Sequence, residues 1–319
     1  MHAYTGRMQA ILNVAFPVFA VMGCGYLAGR LGLMGEGSSE ALNRYVFYVA
    51  LPPVFVLAMA RAPLETIFNW PFIAAYCGGI ALTVVVAVFG ARLMFRRKGI
   101  AGAFDGYIAA YSNSGYMGIP LFLAAFGQEA VLPVIVASFI NSSLFIAVGA
   151  ATVTLGTARG GGIGGRVIEL ARALALNPLV MAPVLGGLVA TLHMDVPRPV
   201  VTLFELLGAS AGPGALFAIG LFLVGKRLGR QRAEIAWLSA AKLALQPALT
   251  FVLVGWVFEM DPFWAASAVF VAAMPAGSAL FVLAQKAGVD VARMSATILV
   301  TTVLSIATLS VLLIWLFPS

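Results

Sequence analysis

Charge is what this sequence has least of. Only 10% of its 319 residues are Asp, Glu, Lys or Arg, against 62% hydrophobic residues and a mean hydropathy of +1.02. That balance lies far outside the range of soluble domains. The apolar runs are separated by short charged connectors alone, which leaves no room for a separate soluble domain. Cysteine is scarce too. Cys24 and Cys77 both lie inside apolar runs, as small buried hydrophobes do, rather than in a disulfide or a metal pair. Histidine is limited to His2 and His193. No acidic cluster lies within the apolar runs to hold sodium, and no metal or cofactor is expected. The net charge of +7 comes from basic clusters between apolar runs, not from one folded surface, so it reports membrane orientation and excludes a nucleic-acid partner.

What is present is a series of apolar runs near the roughly 20 residues that a bilayer requires. Ten candidate spans fall at 9–29, 43–60, 71–94, 104–126, 131–155, 173–193, 199–224, 235–258, 262–285 and 292–317. The fold class is an all-α polytopic membrane protein. Arg7, Arg61 and Arg198 lie on one side of these spans and Lys242 lies within one; the other 15 of the 19 basic residues lie on the opposite side. The rich side is cytoplasmic by the positive-inside rule, which places both termini outside the cytoplasm. Arg7 and the run after it could also be a signal peptide, with Val21-Met22-Gly23-Cys24 loosely like a lipoprotein cleavage site. Cleavage there would remove a span that the repeat described next requires.

Ala158-Arg159-Gly160-Gly161-Gly162-Ile163-Gly164-Gly165-Arg166 follows no strand signal and lacks a Gly-Lys-Ser/Thr ending, so it reads as a linker and not a phosphate loop. It divides the chain into a first five-span repeat (1–155), a cytoplasmic linker (156–172) and a second repeat (173–319). Five is odd, so the second set enters the membrane from the opposite face and the repeat is inverted. Gly118-Ile119-Pro120-Leu121-Phe122-Leu123 in span four corresponds to Gly277-Ser278-Ala279-Leu280-Phe281-Val282 in span nine. Pro17 pairs with Pro183, and Pro52-Pro53 with Pro213.

Span four holds Tyr111-Ser112-Asn113-Ser114-Gly115-Tyr116-Met117-Gly118-Ile119-Pro120, a poor helix where a span should be most regular. Pro275-Ala276-Gly277-Ser278 should break span nine where Asn113 to Pro120 breaks span four. Unwound backbone at that depth persists only inside protein or beside a polar cavity. Two broken helices running in opposite directions can cross there, and each then offers a half-helix N-terminus with unpaired amides, a ready anion site.

These residues resemble the auxin efflux carrier family, which includes bacterial proteins proposed to be malonate and malate permeases. The likeness is carried by Leu42-Asn43-Arg44-Tyr45-Val46-Phe47-Tyr48-Val49-Ala50-Leu51-Pro52, by Asn113 to Pro120 and by Met274-Pro275-Ala276-Gly277-Ser278. The resemblance implies a ten-helix carrier of inverted five-helix repeats with crossing helices four and nine, a fold shared with bile-acid symporters and sodium/proton antiporters. It implies a scaffold of spans one, two, six and seven and a moving transport unit of spans three to five and eight to ten. It also implies an organic-anion substrate, from auxin to small dicarboxylates. The short linker fits the bacterial branch, in the inner membrane, and the fold is compatible with a homodimer.

Asn113 is the leading substrate contact, because its amide both donates and accepts beside unwound backbone; the bland role is a helix cap. Ser114 stands beside it. Pro120 and Pro275 shape the site, with Ser278 at the second break, and Gly115, Gly118 and Gly277 permit close backbone approach. Asn141-Ser142-Ser143 in span five and Thr301-Thr302 in span ten occupy corresponding places, and Asn141 should face protein or a cavity. Lys242 lies about 10 Å into span eight, where it could balance a substrate carboxylate, take part in coupling with Gln246 one turn away, or snorkel to the interface. Proton coupling is favoured over sodium. Glu205 and Asp105 read as interfacial or paired charges. Gly25 and Gly29 suit close helix approach.

Other functions are weaker readings. Gly208-Ala209-Ser210-Ala211-Gly212 fits a G-x-S-x-G pattern, with His193 on the preceding span, but lacks the strand-to-helix setting of a hydrolase. Inverted halves with matched breaks suit alternating access better than a channel. A sodium-coupled bile-acid-type symporter is the main rival among carriers.

Overall fold

Residues 16–97, 99–156, 163–226, 231–288 and 290–317 are described by the computed structural model. The first part of span one, most of the glycine-rich stretch, and the basic residues Arg7, Lys98, Arg159, Arg227 and Arg230 lie outside them. The described chain is helical: α1 (Phe16–Arg30), α2 (Ser38–Arg61), α3 (Trp70–Phe95), α4 (Gly99–Ala110), α5 (Ser114–Phe126), α6 (Leu132–Gly156), α7 (Ile163–Ala175), α8 (Pro178–Thr191), α9 (Arg198–Leu223), α10 (Arg232–Trp256), α11 (Pro262–Ala272), α12 (Ala279–Ala287) and α13 (Val291–Leu316).

Six of these are long and apolar enough to cross a bilayer: α2, α3, α6, α9, α10 and α13, with α7 and α8 making a seventh if that bent pair is one span. The chain is thus a polytopic helical membrane protein. The remaining expected spans fall on α1 and on the broken pairs α4–α5 and α11–α12. Span six differs from its expected course. It turns by 72° between α7 and α8, and Asn177 caps α8 by accepting from Leu179 N at 2.9 Å, with Pro178 at the first position. A residue before proline is driven out of the α region, so an Asn-Pro pair ends one helix and starts the next. Much of the expected linker is therefore helix α7.

Among the described residues three turns widen to π geometry, at Val46–Ala50, Ser114–Gly118 and Ala241–Leu245. Each is followed two residues later by a proline: Pro52, Pro120 and Pro247. Proline lacks the amide that would close an α turn and its ring crowds the carbonyl four residues back, so the helix relaxes by one residue there.

Small residues set which helices touch. α1 crosses α9 with backbone in contact: a Cβ on Gly25 would strike the Phe217 carbonyl, and one on Gly220 the Met22 carbonyl. α8 crosses α2 in the same way, with Gly186 against the Val56 carbonyl. α3 meets α10 where Gly79 lies on the Thr250 hydroxyl. Close approach through glycine recovers the van der Waals contact that drives helix association in lipid. The outward faces carry exposed apolar side chains such as Val85, Phe89, Leu188 and Val311, as a lipid-facing surface requires.

Candidate functional site

The two breaks meet. Asn113 N donates to Pro275 O at 2.9 Å and Gly277 N to Tyr111 O at 3.1 Å, an antiparallel bridge that pairs Ser112 with Ala276. Each unwound segment thus supplies the hydrogen bonds that hydrocarbon denies the other. The flanking helices complete the pairing from outside: Asn141 Nδ2 of α6 donates to Ser112 O at 3.2 Å, and Thr301 Oγ1 of α13 accepts from Ala276 N at 3.2 Å.

The unwound part of span four is shorter than expected. It comprises Tyr111 to Asn113; Ser114–Gly118 is wound as a π turn and Pro120 lies inside α5. Asn113 does not cap that helix. Its side chain makes no hydrogen bond to a described residue, although it is only 5% exposed. The amides of Ser114 and Gly115 also find no described acceptor, and Ser278 leaves the start of α12 without a side-chain cap. Two helix N-termini with free donors therefore converge on the bridge.

A cavity of about 100 Å³ adjoins them. Ser112, Asn113, Ser114, Gly115 and Gly277 line it from the breaks, Ser138, Asn141, Ser142 and Phe145 from α6, and Phe47, Asn177 and Leu179 from α2 and the start of α8. Tyr111, Tyr116 and Ala279 complete the wall. Gly115 has open space where a Cβ would be, so its role is to leave the cavity clear, not to admit close packing as expected; Gly277 does pack closely, against the Tyr111 ring. Pro120, Pro275 and Ser278 lie outside this lining. Pro120 instead lines a second cavity of about 860 Å³ between α1, α2, α5 and α9, with Arg61 and Glu205 among its walls.

Lys242 does not snorkel. It is wholly buried, and its ammonium donates to Ala272 O at 2.6 Å, to Gln246 Oε1 at 2.5 Å and to Ser112 Oγ at 3.0 Å. The Gln246 amide donates in turn to Ala110 O at 2.9 Å. Ala110 and Ala272 are the last residues of α4 and α11, so the negative ends of both first half-helices meet this pair. Neither residue lines the small cavity; they support it through Ser112.

The paired-charge reading holds for the two acids. Glu205 lies 2.8 Å from Arg61, both about half exposed. Asp105 lies 2.6 Å from Arg293, each 1% exposed, and Arg293 also bonds Glu234 at 2.6 Å, which Arg97 shares. The site residues missed from the sequence are Ser112, whose carbonyl and hydroxyl take Asn141 and Lys242, Tyr76, whose hydroxyl accepts from Asn141 at 3.0 Å, and Ser138. Ser138 was legible as lying one turn before Asn141 on the same helical face.

The hydrolase pattern fails. Ser210 is the single turn residue between the helical segments Arg198–Ala209 and Ala211–Leu223 of α9, not a strand-to-helix elbow; its hydroxyl is bonded to Leu207 O at 2.6 Å and to Tyr45 Oη at 2.7 Å, and no hydrogen bond joins it to His193 among the described residues.

Comparison with known proteins agrees. A family described as "Membrane transport protein" matches residues 10–156 and 166–313. A protein of Rhizobium meliloti (strain 1021) named "Putative malonate transporter" is 35% identical over 310 residues, 96% of each chain. An uncharacterized transporter of Methanothermobacter thermautotrophicus is 27% identical over 310 residues, 96% of this chain and 97% of its own. An uncharacterized transporter of Escherichia coli (strain K12) is 27% identical over 252 residues, covering 77% of this chain and 78% of its own. All are named as transporters, none as an enzyme.

Proposed function

Because the chain belongs to the membrane transport protein family, that of the auxin efflux carriers, we propose that it is a secondary active carrier of a small organic anion, with the carboxylate held at the crossing of α4–α5 and α11–α12. The observation that carries this reading is the uncapped start of α5: a buried Asn113 whose side chain, like the amides of Ser114 and Gly115, has no hydrogen-bond partner among the described residues, and a cavity beside them. Free donors at a helix N-terminus favour an anion without a cationic side chain. Asn113 orients the acid, Ser114 and Asn141 shape the wall, Pro275, Gly277 and Ser278 set the second break, and Lys242 with Gln246 braces the break from behind. A cavity of about 100 Å³ suits a short acid such as malonate or malate better than an indole or a sterol. The relative named for malonate points the same way.

The cycle we propose is alternating access in the bacterial inner membrane by a ten-span protein of two inverted repeats, 1–155 and 173–319, with both termini outside. Several contacts support the repeat. The glycine crossing of α1 with α9 is matched by that of α2 with α8, and Asn141 on the first break is matched by Thr301 on the second. In this reading α1, α2, α8 and α9 form the scaffold, a surface compatible with a homodimer, and the other membrane helices move as the transport unit.

The test is a thermal-shift series on detergent-purified protein with malonate, malate, succinate, lactate, indole-3-acetate and taurocholate, with and without sodium. A ligand that binds only the folded state raises the melting temperature. Small carboxylates should do so, and Asn113→Ala should abolish the effect. A sodium-dependent shift with taurocholate alone would assign the protein to bile-acid-type symport instead.

A further inference from the structure

The ionic form of the acid can be read from one side chain, given the carboxylate-carrier reading above. Asn141 Nδ2 has three neighbours: Ser114 Oγ at 2.8 Å, Tyr76 Oη at 3.0 Å and Ser112 O at 3.2 Å. A carbonyl oxygen only accepts, so the Ser112 contact fixes which end of the amide faces the break. Oδ1 is left with no partner among the described residues, on a residue 2% exposed. One turn earlier on the same face of α6, Ser138 Oγ is buried and likewise without a partner among the described residues, and both residues line the crossover cavity.

A buried acceptor without a donor is costly. A fully ionised dicarboxylate brings acceptors alone and would aggravate the deficit; a carboxyl O–H would cure it. The titratable and charged groups around the position are Tyr76 from α3, Tyr111 from the unwound segment, Tyr116 from α5, and Lys242 from α10 behind Ser112. No Asp, Glu or His is among the described residues of the cavity wall. A coupling proton has no carboxylate there to ride on.

We propose that the species bound is the singly protonated dicarboxylic acid, its carboxylate at the Ser114 and Gly115 amides and its carboxyl O–H donated to Asn141 Oδ1. One proton then crosses with each substrate molecule, on the substrate itself, and no protein carboxylate needs to titrate.

The experiment is calorimetric titration of the purified wild-type protein between pH 5 and 8 with three acids of similar size. Malonate can lose its second proton. Malonamate carries one fixed charge and an N–H donor. Acetoacetate has the same shape as malonamate, with a methyl group in place of the donor. Malonate affinity should fall tenfold per pH unit above its second ionisation, malonamate affinity should stay level, and acetoacetate should bind at least tenfold more weakly than malonamate. Malonate affinity independent of pH, or acetoacetate binding as well as malonamate, overturns the proposal and leaves Oδ1 to a bound water. If none of the three binds at any pH while a larger acid does, the small-carboxylate reading of the site falls, and this inference falls with it.

Discussion

Lys242 Nζ lies 3.0 Å from Ser112 Oγ, which ties α10 to the unwound residue of span four. The same ammonium holds the last carbonyl of α11, and its neighbour Gln246 holds the last carbonyl of α4. One positive charge therefore serves the negative ends of two half-helices whose last residues are fully buried, where each free carbonyl would otherwise be costly. This is a support built behind the cavity, separate from the free amides that line its front.

Replacing that support should cost stability before it costs specificity. Lys242→Met leaves the Ser112 hydroxyl, the Gln246 oxygen and the Ala272 carbonyl without their donor, a loss of about 2–3 kcal/mol by the usual cost of an orphaned buried group. The measurement is the melting temperature of purified protein without ligand. A variant that melts with the wild type would show that the ammonium braces nothing.

Asn113 and Asn141 should part company. Asn113 makes no side-chain bond to a described residue, so Asn113→Ala should leave the ligand-free melting temperature unchanged or slightly raised while removing the shift caused by malonate. Asn141 shares its two N–H donors among three acceptors, so Asn141→Ala should lower the ligand-free melting temperature, by about 1–3 kcal/mol of stability. The same two variants in one thermal series check both statements, and equal behaviour would contradict the geometry.

Gly277 is held by a ring. A Cβ there would overlap Cδ1 and Cε1 of Tyr111, so Gly277→Ala should strain the bridge between the breaks and lower the yield of folded, monodisperse protein on size exclusion. Pairing it with Tyr111→Ala removes the obstacle, and the double variant should recover folded protein relative to the single one. No recovery would place the strain elsewhere.

Much of this arrangement was legible in the residues themselves. A Ser-Asn-Ser run with glycines in mid-span has few ways to be satisfied in hydrocarbon, and a Pro-Ala-Gly-Ser run on a second span supplies a partner for it. What stayed hidden depends on distance. Arg293 counts in the sequence as one more connector charge, yet it is buried between Asp105 and Glu234, which come from helices nearly 130 residues apart in the chain. Lys242 was visible as a deep charge, but the three acceptors that keep it there come from α4–α5, α10 and α11. Pro120 read as a helix break because proline usually is one; the π turn before it absorbs the missing hydrogen bond.

The Arg293 cluster gives a graded prediction. Removing one partner of a buried ion pair typically costs about 3–5 kcal/mol. Asp105→Asn should fall at or below the low end, because Arg293 keeps its bond to Glu234 at 2.6 Å. Glu234→Gln should cost less again if partial exposure lets water reach Arg97, which is 24% exposed. The order of melting temperatures, wild type above Glu234→Gln above Asp105→Asn, is the check, and the reverse order would mean that Asp105 is the spectator.

Asp290 sets an acid limit to stability at the start of α13. Burial alone would raise its carboxyl, but the Arg293 amide, the Gln231 side chain and the charges of Arg293 and Arg97 outweigh that and hold it below the ordinary value of 3.8. A carboxyl depressed in the folded state stabilises above the unfolded value, and the contribution is lost as the pH falls through the folded one. Asp290→Asn keeps the N-cap to Arg293 N, seen at 3.1 Å, and removes only the charge. At neutral pH the variant should therefore melt slightly below the wild type. Below about pH 4, the ordinary carboxylate range, the two melting curves should converge, because the wild type is losing what the variant never had. Curves that stay parallel down to pH 3 would mean that the Asp290 charge does not contribute, and that the cap alone holds the start of α13.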